Sequence, residues 1–298
     1  GGFSASLHEL GLGWMPSSVS AKSNIVTSQG SVAAVLGNLR HNLGEQQGLV
    51  LLCVLLIVVA RTVSTPLPPA ERWVGAAMSA SIVLHMCFGQ FGWFNRYELY
   101  ILTPAFLVAL VLVRAPLTAA LRTPRALLVG AMVTMILTFA GLPYWIGHLT
   151  SPLAAYNVYQ QQYQMHRFVT EHYQGPVAVN DLGWVAYRND QHVLDFWGLG
   201  SREALDLRRA STDTGWMNAL ADRHDVQVVI IYERWFGPLP PEWHRVGVLI
   251  LDGPRISLGD SVVSFFARDD ATRDQVIPLL EQFRDTLPPG VQLGVAER

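Results

Sequence analysis

Residues 126–147 run for 22 positions without an Asp, Glu, Lys or Arg. A helix that crosses a bilayer needs about 20 consecutive apolar residues, because no water is present in the hydrocarbon to satisfy an irregular backbone. Three further windows belong to the same class. Residues 73–95 are charge-free and are interrupted only by His85, Gln90 and Asn95. Residues 99–113 are uncharged and contain Pro104, which membrane helices tolerate. Residues 48–60 form the most apolar run, short for a span unless it extends to Leu43 and Val63. The reading is an α-helical transmembrane bundle of about four spans, at roughly 48–63, 73–92, 99–114 and 126–147.

The 298 residues are 50% hydrophobic and 15% charged, against about 25% charged in an ordinary soluble domain. That deficit excludes a disordered chain and a nucleic-acid-coating protein, both of which need abundant charge. The net charge of −2 conceals a split. Residues 1–150 hold eight basic and four acidic side chains, a balance of +4; residues 151–298 hold thirteen and nineteen, a balance of −6. Cys53 and Cys87 both sit in apolar runs, so neither a disulfide framework nor a cysteine zinc site organises the fold. Twenty of the 21 basic residues are Arg, which we attribute to composition bias; Lys22 is the sole lysine.

Arginine placement orients the spans. Arg61 and Arg72 follow the first, Arg114, Arg122 and Arg125 follow the third, and only Arg96 lies between the second and third. By the positive-inside rule the Arg-rich loops are cytoplasmic. Residues 1–47, the hairpin at 91–98 and residues 151–298 then lie outside. Trp14, Trp93, Phe94, Tyr97, Tyr100, Tyr144 and Trp145 fall near the outer boundaries, as an aromatic belt does. The chain starts at Gly1 without a signal sequence, and the expectation is that further spans precede it.

From residue 151 the pattern changes to short apolar strands alternating with helices. Strands are expected at 176–179, 192–196, 226–232, 246–251 and 261–267, and helices at 156–173, 201–209, 213–225 and 270–286. This alternation reads as a small soluble α/β domain.

Five residues are candidates for binding. Lys22 is either an ordinary solvated lysine or a point charge for phosphate oxygens. Arg96 and Tyr97 are either interfacial anchors or a fork gripping a lipid-linked phosphate, with Glu98 beside them. His85 is an ionisable group inside a span, which is a functional hypothesis by default; the alternative is a neutral ring bonded to a neighbouring helix. Asp181 follows a strand, where α/β sheets place ligands, although Asn180-Asp181-Leu182-Gly183 also suits a turn. Asp195 and the Gly198–Gly200 pair mark a second strand end without dinucleotide spacing. Tyr156, Tyr159, Tyr163 and His166 recur at helical spacing, which is more often packing than a sugar platform. No metal-ligand pairing, nucleophile elbow or phosphate loop occurs in the sequence.

Taken in order, Trp14–Lys22 (WMPSSVSAK), Gly92–Tyr100 (GWFNRYELY), Val177–Tyr187 (VAVNDLGWVAY) and Val193–Leu199 (VLDFWGL) resemble the carboxyl-terminal part of bacterial GT-C-type membrane glycosyltransferases. These polyprenyl-phosphate-sugar-dependent enzymes are akin to protein O-mannosyltransferases and aminoarabinose transferases. The resemblance implies a multi-pass protein of the bacterial inner membrane. It would take a polyprenyl-phosphate sugar as donor and a glycan, lipid or protein outside the cytoplasm as acceptor. It also implies that the catalytic carboxylate lies in an earlier loop without a counterpart here, so no catalytic residue is assigned. Lys22, His85, Arg96, Tyr97 and Asp181 would then bind donor or headgroup. No cofactor is expected, and a divalent metal is left open. The alternative is a non-catalytic, membrane-anchored α/β binding domain.

Overall fold

The computed structural model describes residues 2–22, 31–92 and 94–297; the side chains of Ser18 and Lys22 also lie outside what is described. The chain divides into two units: Gly1–Ser23 with Thr150–Arg298, and Asn24–Leu149.

The second unit is helical: α3 (Val32–Gly44), α4 (Gln46–Ser64), α5 (Pro69–Phe88), α6 (Leu99–Leu121) and the first two thirds of α7 (Ala126–Gln160). The short α1 (Gly2–Glu9) and α2 (Ser17–Lys22) belong to the first unit. Ser31 caps α3 by accepting the Ala34 N–H. The chain turns at Glu45 into α4, and a Cβ on Gly48 would lie 1.7 Å from the Asn42 carbonyl oxygen, so only glycine permits that approach. The core repeats at helical spacing: Leu51, Val54 and Val58 of α4 meet Ile82 and Met86 of α5 and Ala105, Ala109 and Leu112 of α6. The small Ala105 and Ala109 let helices approach closely without a hydrophobic drive from water.

The opposite faces are apolar too. Leu56, Leu107, Leu110, Met135 and Leu137 are all exposed, which no water-facing bundle of this size sustains. Among the described residues, three helical stretches are long and apolar enough to cross a membrane: Gln46–Ser64, Leu99–Leu121 and Ala126–Tyr173. Three of the four expected spans thus coincide, among the described residues, with such stretches. The remaining one, expected at 73–92, is helix α5, which starts earlier, carries Glu71, Arg72, Ser79, Ser81 and His85, and stops at Phe88 because Gly89 is extended. Two other boundaries move. Helix α6 runs beyond 114 to Leu121, and Arg114 pairs with Glu71 at 2.7 Å. Helix α7 does not end at 147 but continues through Pro152 to Gln160.

In the first unit, α7 is followed by α8 (Gln162–Arg167) and a π-helical turn (Phe168–Tyr173), then β1 (Val177–Val179), α9 (Gly183–Ala186), β2 (Val193–Asp195), α10 (Arg202–Ala210) and α11 (Gly215–Arg223). The chain ends in β3 (Val228–Ile231), a 3-10 turn, β4 (His244–Leu251), β5 (Val262–Ala267), α12 (Asp270–Arg284) and β6 (Val291–Val295). The mixed sheet has the order β2-β1-β3-β5-β4-β6. Strands β1, β2 and β3 are parallel, and the rest pair antiparallel. Central β1 and β3 are buried at every position, as strands covered on both faces must be. One face packs on α8, the π-turn and α12 through Met165, Phe168, Val276 and Phe283. The other packs on α10 and α11 through Ala204, Trp216 and Leu220. The five expected strands form; α9 and β6 are additional.

Candidate functional site

Within the helical unit, polar side chains gather where α5 turns into α6. The Asn38 amide donates to the carbonyls of Cys87 (3.0 Å) and Gly89 (2.9 Å), and the Asn42 amide to Met86 (2.9 Å) and Gly89 (3.1 Å). These bonds satisfy the carbonyls that the end of α5 leaves open. Gly92, Phe94 and Asn95 adopt positive φ values of 91°, 64° and 55°, an uncommon conformation for the two non-glycine residues. The hairpin is held by Glu98, which is fully buried. Its Oε2 accepts the Gly92 N–H at 3.0 Å, and its Oε1 accepts the Tyr144 hydroxyl at 3.3 Å. Burial raises the Glu98 carboxyl above its usual range, and these two bonds partly offset the effect. Asn95 donates to the Pro143 carbonyl (3.1 Å) and accepts from the Gln47 amide (2.6 Å).

On this braced frame Arg96 remains exposed, with its guanidinium carbon 5.5 Å from the centre of the Tyr97 ring. His85 is buried; its Nδ1 lies 2.7 Å from the Tyr100 hydroxyl, and its ring meets Phe91 edge-on at 4.9 Å. His85 Nε2 is buried and unpartnered. The ring lines a cavity of about 510 Å³ with Ser81, Gly89 and Pro104. One nitrogen held and the other unpartnered is the arrangement of a ring able to meet a further polar group.

In the α/β unit, the connections after the neighbouring strands β1 and β2 leave towards opposite faces of the sheet, since α9 packs with one core and α10 and α11 with the other. Ligands of open α/β sheets bind at such a switch point. Asn180 is buried there, with its Oδ1 accepting the Tyr232 N–H at 2.9 Å and its Nδ2 unpartnered. The Tyr232 hydroxyl donates to Gln161 at 2.7 Å, and the Gln161 amide donates to the Asp260 carbonyl at 2.9 Å. Burial, reinforced by the charge of Asp181, pushes the Tyr232 hydroxyl well above its ordinary range. Asp181 accepts from the Gln162 amide at 2.5 Å. Asp260 is gripped by two nitrogens of Arg234 at 2.6 Å.

Asp195 ends β2 with both carboxylate oxygens on backbone N–H groups: Trp197 at 2.9 Å, Gly198 at 3.0 Å and Gly200 at 2.6 Å. Gly198 has φ +85°, and a Cβ there would lie 2.6 Å from that of Leu205. The same loop is met by the amino-terminal segment: the Ser17 hydroxyl donates to the Leu199 carbonyl at 2.8 Å, and Arg209 to the Ser20 carbonyl at 2.5 Å.

Of the five expected residues, Lys22 ends α2 with its side chain outside what is described, and Asp181 belongs to the same unit. His85, Arg96 and Tyr97 belong to the other. The structure joins Arg96 to Tyr97 and His85 to Tyr100. Trp93 of the expected aromatic belt lies outside the described residues. The tyrosine stripe forms a ladder of rings with centres 6.0, 5.6 and 5.9 Å apart from Tyr156 to His166, prolonged by Trp184 of α9 at 5.4 Å from Tyr163. Sequence reasoning missed Gln47, Gln161, Gln162 and Tyr232, since an amide or phenol carries no motif until its partner is known. Among the described residues, no group of three or more His, Cys, Asp or Glu is placed to hold a metal ion.

A protein-family model described as a domain of unknown function (DUF8728) matches residues 154–268. That stretch runs from the end of α7 to the start of the β5–α12 connection and includes Asp181. No curated protein matches the chain, and no solved structure does.

Proposed function

We propose that the chain is the carboxyl-terminal portion of a membrane glycosyltransferase that moves a sugar from a polyprenyl-phosphate donor to an acceptor outside the cytoplasm. The single observation that carries this reading is the hairpin at 89–98. A buried carboxylate, three asparagines and a tyrosine hold it, and its exposed Arg96 rests on an aromatic ring. A guanidinium held in place at the end of an apolar bundle is suited to a lipid-linked phosphate. Three helices of spanning length support a membrane setting.

In this reading the acceptor hydroxyl attacks the anomeric carbon in line and the lipid phosphate leaves. The carboxylate that takes the hydroxyl proton lies in an earlier part of the protein. Arg96 offsets the charge developing on the departing phosphate, and His85 offers its unpartnered nitrogen to a polar group of the donor. Loss of one cation of this kind costs on the order of 10²–10³ in rate, by analogy with oxyanion-hole donors. The test is transfer from a panel of polyprenyl-phosphate sugars by the full-length protein in membranes. Arg96→Ala is expected to lower transfer by about that factor while leaving the melting temperature unchanged, with Arg96→Lys intermediate. Wild-type turnover of Arg96→Ala with donor limiting contradicts the assignment. A second reading, a membrane-anchored binding domain without catalysis, is favoured by the cavity in the α/β unit described next; it predicts ligand binding with no transfer from any donor.

A further inference from the structure

Beside the carboxyl ends of β2 and β3, outside the network of Asn180 and Asp181, the α/β unit holds a cavity of about 510 Å³, a size that accommodates a small ligand. Trp216, Trp235 and Phe236 supply aromatic surface, and Ser211 and Thr214 supply hydroxyls at the α10–α11 connection. Arg208 closes one side.

Arg208 is unusual in its partners. Its guanidinium carbon lies 3.8 Å from the centre of the Trp197 ring, a close cation–π contact. Its Nε is buried and unpartnered. Among the described residues, no carboxylate lies within ion-pair distance of it. The nearby Asp195 has its oxygens on three backbone amides. Burial lowers the guanidinium's affinity for its proton, the neighbouring Arg209 lowers it further, and Asp195 offsets this in part. A half-buried cation in this position favours an anion. The one carboxylate lining the cavity, Asp213, is exposed and accepts the Gly215 N–H at 2.8 Å.

We infer that this cavity binds an acidic sugar, with the ring against Trp235 and Phe236, its hydroxyls on Ser211 and Thr214, and its carboxylate or phosphate on Arg208. Aromatic faces take up the C–H side of a pyranose, hydroxyls match its rim, and an Arg fork takes either anion in bidentate fashion. A single Arg suits one anionic group better than a polyphosphate. Resting on the function proposed above, the inference names the acceptor's class: an acidic glycan.

The test is equilibrium binding to the full chain in nanodiscs, read by tryptophan fluorescence and calorimetry. The probes are glucose 1-phosphate, glucuronic acid, glucose and inorganic phosphate. One or both acidic sugars are expected to bind saturably and at least tenfold more tightly than glucose or phosphate alone, and the pair tells phosphate from carboxylate. Arg208→Gln is expected to reduce acidic-sugar affinity at least tenfold and leave glucose unchanged, with partial recovery in Arg208→Lys. Melting temperatures of both variants separate lost binding from lost folding; if Arg208→Gln does not fold, Arg208→Lys with Ser211→Ala and Thr214→Val carries the test by the same loss of affinity. Absence of saturable binding by either acidic sugar, or equal affinity in wild type and variants, overturns the inference. This test reads binding and the donor panel reads transfer, so binding here without transfer there sinks the transferase reading alone, and transfer there without binding here sinks this site alone.

Discussion

Asp195 directs both carboxylate oxygens at its own backbone and so fixes the loop that carries Trp197 and Gly198. Hydrogen bonds to an ionised group contribute about 1.5–3 kcal/mol each and are not additive within one nest. Asp195→Ala is therefore expected to destabilise the α/β unit by about 2–4 kcal/mol, read as a lowered midpoint in chemical denaturation. A midpoint within about 0.5 kcal/mol of wild type contradicts that role. The sequence showed Asp195 as a strand-end acid but could not show which atoms it meets. The same limit applies to Arg96 and His85: their positions were readable from charge and span, while the bracing by Glu98, Asn95 and Gln47 depends on residues far apart in the chain.

A second residue-scale expectation concerns pH. His192 stacks on His224 with ring centres 4.8 Å apart, and burial, then the neighbouring imidazole, lowers its pKa. Glu203 lies 3.7 Å from His224. A base with a lowered folded-state pKa binds its proton more weakly in the folded protein than in the unfolded chain. Stability is thus lost as pH falls below about 6.5, the unfolded value. The melting temperature is expected to fall between pH 7.5 and 5.5, and His192→Gln to flatten that fall. An identical slope in the variant removes His192 from the cause.

At the scale of elements, charge-free windows located the helices because desolvation leaves a spanning segment little choice. They did not locate the ends. Helix α7 passes Pro143, Gly147 and Pro152 without stopping, as membrane helices allow where side chains satisfy the freed carbonyls; the Gln46 amide donates to the Phe139 carbonyl, four residues before Pro143, at 2.7 Å. The short β6 lacked a run long enough to read, and it forms because β4 offers it an edge. Helix α12 was readable at its start. Asp269 accepts the Thr272 N–H at 2.7 Å, and that bond holds its carboxyl below the usual range. Asp269→Ala is expected to cost about 1 kcal/mol near neutral pH. The difference should vanish as pH falls through the carboxyl's folded pKa, because a protonated cap no longer accepts as an anion. Thermal melts of both proteins at pH 7 and pH 2.5 check this.

At the scale of the whole molecule, the outward apolar faces of α4, α6 and α7 are the feature that a bilayer accounts for. Met135, exposed near the middle of the first part of α7, distinguishes lipid from water. In water Met135→Arg is harmless; in hydrocarbon it costs about 2.5–3.5 kcal/mol of insertion free energy. An insertion assay of residues 122–150 with and without the substitution is expected to show that loss, and unchanged insertion places this face away from lipid.

The transferase proposal depends on Arg96 and Asp181 facing the same compartment outside the cytoplasm. A full-length protein with Cys53→Ser and Cys87→Ser, carrying either Arg96→Cys or Asp181→Cys, can be labelled in intact cells with a membrane-impermeant maleimide. Both positions are expected to label without permeabilisation. Labelling of one position only after the membrane is opened would place the two on opposite faces and contradict the account.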